Sequence, residues 1–134
     1  MKMKTLISPL VLLIILLTAC SNSSKVYDLA TITQLFEEAE LHLKPQAGDS
    51  YPIVMSIEPR VYELLDDSLY IYVFKAEDDL AEALKSVHIE DLFNVPPYVY
   101  QLNNILILYM PLSPTDVNFE KQIHDIIHNE QAQK

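Results

Sequence analysis

One pattern occurs twice in this chain, and few folds can accommodate it. Val61-Tyr62-Glu63-Leu64 precedes Asp66-Asp67 and the run Leu69-Tyr70-Ile71-Tyr72-Val73-Phe74; Val99-Tyr100-Gln101-Leu102 precedes Asn103-Asn104 and Ile105-Leu106-Ile107-Leu108-Tyr109-Met110, at an offset of 38 residues. Apolar β-branched and aromatic runs on both sides of a short polar pair are the signature of a β-hairpin. Asp and Asn accept the left-handed backbone that tight turns need, which matters in a chain whose single glycine is Gly48. Two hairpins are expected.

Helical patterns surround them. From Leu29, apolar residues recur at Ile32, Leu35, Phe36, Ala39 and Leu43, the spacing of one helical face. Asp28, Thr31 and Thr33 are candidate caps, and Pro45 followed by Gly48 closes the element. Glu77-Asp78-Asp79 places negative charge at a second helix start, ahead of a Leu80, Ala83, Leu84, Val87 stripe. After Pro111, Ser113, Pro114 and Asp116, the residues Phe119, Ile123, Ile126 and Ile127 line a third. The fold class is α+β: a leading helix, then two units of hairpin plus helix, forming one antiparallel sheet backed by helices.

The first hairpin's long strand has no polar face. Leu69, Ile71 and Val73 point one way and Tyr70, Tyr72 and Phe74 the other. Helices on only one face would leave Tyr70, Tyr72 and Phe74 as an apolar, tyrosine-rich surface for a protein partner, a peptide or a dimer. A leading helix laid over that face would make them ordinary core.

The N-terminus reads as a processing signal. Lys2 and Lys4 precede a nearly unbroken apolar run over residues 6–17. That run suits a cleaved h-region of about 7–15 residues better than a spanning helix of about 20. It ends in Leu17-Thr18-Ala19-Cys20, which resembles the lipobox of bacterial membrane lipoproteins. The resemblance implies cleavage before Cys20 and a diacylglycerol on its sulfur, leaving open an acyl group on the new amino terminus. The competing reading is an ordinary signal peptide, or plain N-terminal anchor, with an incidental cysteine. Two long chains anchor stably, since each buried CH₂ adds about 0.8 kcal/mol. The expected organisation is a lipoprotein signal peptide over 1–19, lipidated Cys20 with a polar tether over 20–27, and a single domain over 28–134. Cys20 is the only cysteine, so the domain has no disulfide.

Charge narrows the partners. The formal net charge is −10, and removing residues 1–19 with their two lysines makes it −12. A surface this acidic repels nucleic acid and anionic lipid, so the expected link to the membrane is the lipid anchor on Cys20.

Chemistry-bearing motifs are sparse. His124-Asp125-Ile126-Ile127-His128 spaces two histidines four apart, as in zinc-binding His-Glu-x-x-His helices, with Asp125 in place of the catalytic Glu. His124 and His128 are therefore the candidate metal ligands of a small hydrolase. His42 and His88 are isolated. A lone glycine excludes phosphate-cradling loops, and neither Asp66-Asp67 nor Glu77-Asp78-Asp79 has calcium-loop spacing. The functional expectation is a lipid-anchored, extracytoplasmic binding or accessory module without catalysis or a cofactor beyond the covalent lipid. The alternative is an inhibitor or scavenger of cationic proteins or peptides. The sequence leaves the oligomeric state open.

Overall fold

The computed structural model describes residues 24–48, 51–112 and 119–133. The elements run α1 (Leu29–Glu38), β1 (Lys44–Pro45), β2 (Arg60–Leu64), β3 (Asp67–Val73), α2 (Glu77–Ser86), a 3₁₀ turn (Ile89–Leu92), β4 (Tyr98–Leu102), β5 (Ile105–Met110) and α3 (Glu120–Ala132). The strands form one antiparallel sheet in the order β1-β2-β3-β5-β4. This is the expected α+β class. Among the described residues, no helix is long and apolar enough to cross a membrane.

The 38-residue repeat survives in three dimensions. β2 begins at Arg60 and β4 at Tyr98, β3 at Asp67 and β5 at Ile105, each pair at that offset. The central register pairs Tyr70 with Leu108, Leu69 with Tyr109 and Ile71 with Ile107. Shifting these pairs by the repeat maps Tyr70 onto its own partner Leu108 and exchanges the other two. The two hairpins are thus related by a local two-fold normal to the sheet through the Tyr70–Leu108 pair. A side chain and its repeat mate face the same layer.

The helices break the symmetry. α1 and α3 cover one face, burying Ile32, Phe36, Ile123 and Ile127 against Leu69, Ile71, Ile107 and Tyr109. α2, the 3₁₀ turn and the loop around Val54 cover the other, packing Leu80, Ala83 and Ile89 on Tyr72, Phe74, Leu106 and Leu108. The physical difference is the connection: three residues separate β3 from α2, whereas nine separate β5 from α3.

This layering corrects the expected tyrosine surface. Tyr72 and Phe74 are buried, and the Tyr72 hydroxyl donates to the Pro52 carbonyl at 2.7 Å. Tyr70 is half-buried, edge-on to Tyr51 and Phe93. The cover comes from α2 and the Val54 loop, not from the leading helix, which lies on the opposite face.

Helix α1 also ends earlier than its apolar spacing suggests. Asp28 is the cap, accepting from the Thr31 N–H at 2.8 Å. The helix stops where Glu40 turns left-handed (φ 61°), with Leu41 N–H bonded to Phe36 C=O and Glu40 N–H to Glu37 C=O. That is a Schellman ending, with Leu41 packed in the same core as Phe36. Ala39 is exposed, and Leu43 lies beyond the helix on the way into β1.

The boundary of the domain moves as well. Residues 25–27, expected in the tether, belong to the fold. Tyr27 is buried; its N–H donates to Asn104 Oδ1 at 2.7 Å and its carbonyl accepts from Asn104 Nδ2 at 2.9 Å. The same Nδ2 donates to the Phe74 carbonyl at 2.8 Å, and Asn103 Nδ2 to that of Lys25 at 2.6 Å. Asn104 has no exposed surface, so its amide joins the N-terminal segment to the ends of β3 and β5 out of water's reach.

Asn104→Ala leaves these buried backbone groups short of partners, and the expected loss is about 2–4 kcal/mol in urea unfolding. Glu40→Gly should gain about 0.5–1 kcal/mol by relieving a left-handed non-glycine residue, read by the same measurement.

Candidate interaction surface

The two edges of the sheet are built differently. β1 is a two-residue edge carrying Lys44 and Pro45, a charge and a missing donor that discourage further pairing. β4 has neither device within it: Tyr98-Val99-Tyr100-Gln101-Leu102 is uncharged, with Tyr98 and Val99 exposed at 38% and 47%.

Tyr98 starts β4 opposite Tyr109, at the end of the sheet where the β2–β3 turn and the end of β5 also lie. That end carries more apolar surface. Leu65 and Leu112 are 71% and 60% exposed. A buried network holds them together: the Asp67 carboxylate accepts from the Tyr109 hydroxyl at 2.7 Å and from the Leu112 N–H at 3.0 Å, and the Tyr109 oxygen accepts from the Phe119 N–H at 3.3 Å. Burial first, then the bond to Asp67, pushes the Tyr109 phenol well above its usual range, so it stays a neutral donor.

Leu65 is strained where it stands. It takes the left-handed first position of the β2–β3 turn (φ 54°), as Asn103 does in the second hairpin (φ 51°). Asn suits that backbone and leucine does not. The left-handed residue of the first hairpin is therefore Leu65, not an Asp of the pair read as turn formers. Strain on an exposed apolar side chain points to a use for that side chain.

Behind β4, on the α3 side, a groove of about 360 Å³ is lined by Tyr100, Glu120, Lys121 and His124. The Tyr100 hydroxyl donates to the Glu120 carbonyl at 3.1 Å, and desolvation pushes its pKa up to about 12. Gln131 Nε2 reaches back to the Gln101 carbonyl at 2.9 Å, tying α3 to the edge strand.

Of the sequence candidates, His124 lines this groove; its ring stacks on that of His128 at 5.9 Å, and both are exposed on α3. Asp125 lies 3.5 Å from His124 Nδ1 and is itself held by Lys121 at 2.6 Å. Among the described residues, no group of three His, Cys, Asp or Glu side chains could hold a metal. Cys20 lies outside the described residues. The acids do not gather on one face: Glu37 and Glu38 ride on α1, while Glu77, Asp78, Asp79 and Glu82 ride on α2 across the sheet.

At the opposite end of the sheet, the N-terminal segment is fastened by charge. Lys25 Nζ lies 2.8 Å from Glu130 Oε1 and 4.4 Å from the centre of the Tyr27 ring, and the Tyr27 hydroxyl donates to the same carboxylate oxygen at 2.8 Å. The bond from Lys25, then that from Tyr27, holds the Glu130 carboxyl below its ordinary value of 4.5. A carboxyl depressed in the folded state contributes stability above its unfolded pKa, and that contribution is lost as pH falls through the folded value. Urea midpoints of wild type and Glu130→Gln should therefore differ at neutral pH and converge below about pH 4.5. A constant difference across that range would contradict the assignment. No family model, curated protein or solved structure matches this chain.

Proposed function

We propose that this chain is a lipid-anchored module displayed outside the cytoplasm, which binds a membrane-proximal protein or peptide and performs no catalysis itself. Two features support the tethering. Leu17-Thr18-Ala19-Cys20 resembles a lipobox, and the docking of residues 25–27 sets the start of the fold five residues after Cys20. Five residue steps reach about 18 Å at most, so an anchor on Cys20 holds the Asn103–Asn104 end of the domain close to the headgroups.

The observation that carries the binding reading is the apolar end formed by Leu65, Leu112 and Tyr98, with a strained leucine at its tip. Exposed apolar residues gathered at one place, on a fold that covers both faces of its sheet, mark a contact surface. Confinement to the membrane raises the local concentration of the module for partners in the same plane.

Intact mass and membrane fractionation test the tether. Wild type should lose residues 1–19, gain a diacylglyceryl group and pellet with membranes; Cys20→Ala should not gain lipid. A soluble, unlipidated wild type would overturn this half of the reading. For the contact, a photo-crosslinking residue at Leu112 in membranes should give a discrete adduct that Leu65→Asn removes. Asn relieves the left-handed turn, so this variant should be at least as stable as wild type, and a lost adduct means a lost contact. An adduct indifferent to Leu65→Asn would count against the surface.

A further inference from the structure

The hydrogen-bond pattern of β4 is self-complementary. β4 and β5 join through a two-residue turn, so Leu102 and Ile105 exchange both backbone bonds, and by alternation Tyr100 and Tyr98 also face β5. Val99 and Gln101 turn their N–H and C=O outward. The Gln131 amide bonded to the Gln101 carbonyl fits this parity. One step before Val99 at the same parity stands Pro97, which has a carbonyl but no N–H.

We infer that β4 pairs antiparallel with β4 of a second copy, about a two-fold axis at Val99, to make one continuous sheet through two molecules. Val99 N–H and the partner's Val99 C=O bond reciprocally, and Gln101 N–H meets the partner's Pro97 C=O. The remaining position of the ladder would join Pro97 N–H to the partner's Gln101 C=O. Pro97 has no such hydrogen, and that carbonyl is already satisfied by Gln131. No backbone group at this edge is left mismatched.

Side chains and charge agree. The register sets Tyr98 across from the partner's Tyr100, at the mouth of the groove lined by Tyr100, Glu120, Lys121 and His124, so the ring that is exposed in one molecule lies over the groove of the other. Val99 covers the partner's Val99 on the other face. Two copies of a chain with net charge −10 repel over most of their surface, yet residues 92–115 hold no charged side chain, and the edge lies in that stretch. One five-residue edge buries less than a standard stable interface, so the pairing is weak in dilution and favoured by confinement to a membrane.

One consequence rests on the lipid anchor proposed above; the pairing does not. The two-fold reverses strand direction, which puts the two Asn103 positions about 26 Å apart at opposite ends of the shared strands. Lipids on both copies would then lay the strands along the bilayer.

Full-length protein in detergent, with Val99→Pro, tests the pairing. Proline removes only the outward N–H and is tolerated on an edge strand, so the urea midpoint should hold while the dimer constant in sedimentation weakens about tenfold or more. Val99→Thr keeps the N–H and should dimerise like wild type. Should Val99→Pro not fold, Val99→Cys gives the second measurement. Its two sulfurs sit on backbones about 5.5 Å apart across the axis, within disulfide range, and oxidation in detergent, in a Cys20→Ala background, should give a covalent dimer that Val26→Cys does not. A dimer unaffected by Val99→Pro, equal crosslinking from Val26→Cys, or a Val99→Cys product at the mass of another protein would each overturn the proposal. These readouts need no binding partner, so they fail independently of the contact at Leu65.

Discussion

The carboxamide of Asn104 is the interaction on which the arrangement depends. It has no exposure to water, and it takes both backbone groups of Tyr27 while supporting the carbonyl of Phe74. The backbone carbonyl of Asn104 accepts from the Phe74 N–H. One side chain thereby sets where the chain enters the domain, where β3 ends and how the second hairpin turns. Buried amides are costly when unpaired and strong when fully paired, so this point is either intact or broken. Lys25 and Glu130 reinforce it from the rim, where solvent limits the worth of an ion pair.

From that fixed end the sheet's two faces close by different routes. A short connection lets α2 fold back on its own hairpin, and a longer one lets α3 reach the far face beside α1. Both faces of β3 and β5 become core. What stays open is determined by subtraction: the β1 edge is blocked by Lys44 and Pro45, and the Asn104 end is occupied by the N-terminal segment. Among the described residues, the β4 edge and the Leu65 end remain, together with a groove beside β1 lined by Tyr51, Ile53, Arg60 and Tyr62.

The hairpins, their offset and the helices α1, α2 and α3 were legible because side-chain period and turn chemistry are local signals. The face each helix covers was not, since Leu69, Ile71 and Val73 are no more apolar than Tyr70, Tyr72 and Phe74, and nothing in the pattern ranks the two sides. Asn103-Asn104 read correctly as a turn, but the structural duty of the Asn104 amide depends on Tyr27, 77 residues away, and no local pattern links the two. β1 is too short, and contains a proline, to register as a strand. At the contact surface the missed signal was Leu65. A leucine where the second hairpin uses Asn103 departs from the repeat, and comparing the repeats position by position brings it out. His124 and His128 stood out by spacing, yet α3 places them on its solvent side.

Residue-resolved amide hydrogen exchange of dilute full-length protein tests most directly the claim that the N-terminal segment is built into this fold while the outward side of β4 stays open. The Tyr27 amide should exchange as slowly as the amides of β3 and β5, and Val99 and Gln101 much faster than Tyr100 between them. A fast Tyr27 would mean that the N-terminal segment is free tether. A Val99 as slow as Tyr100 in dilute monomer would mean that the edge is already covered by the chain itself, and the surface on which this account rests would not exist.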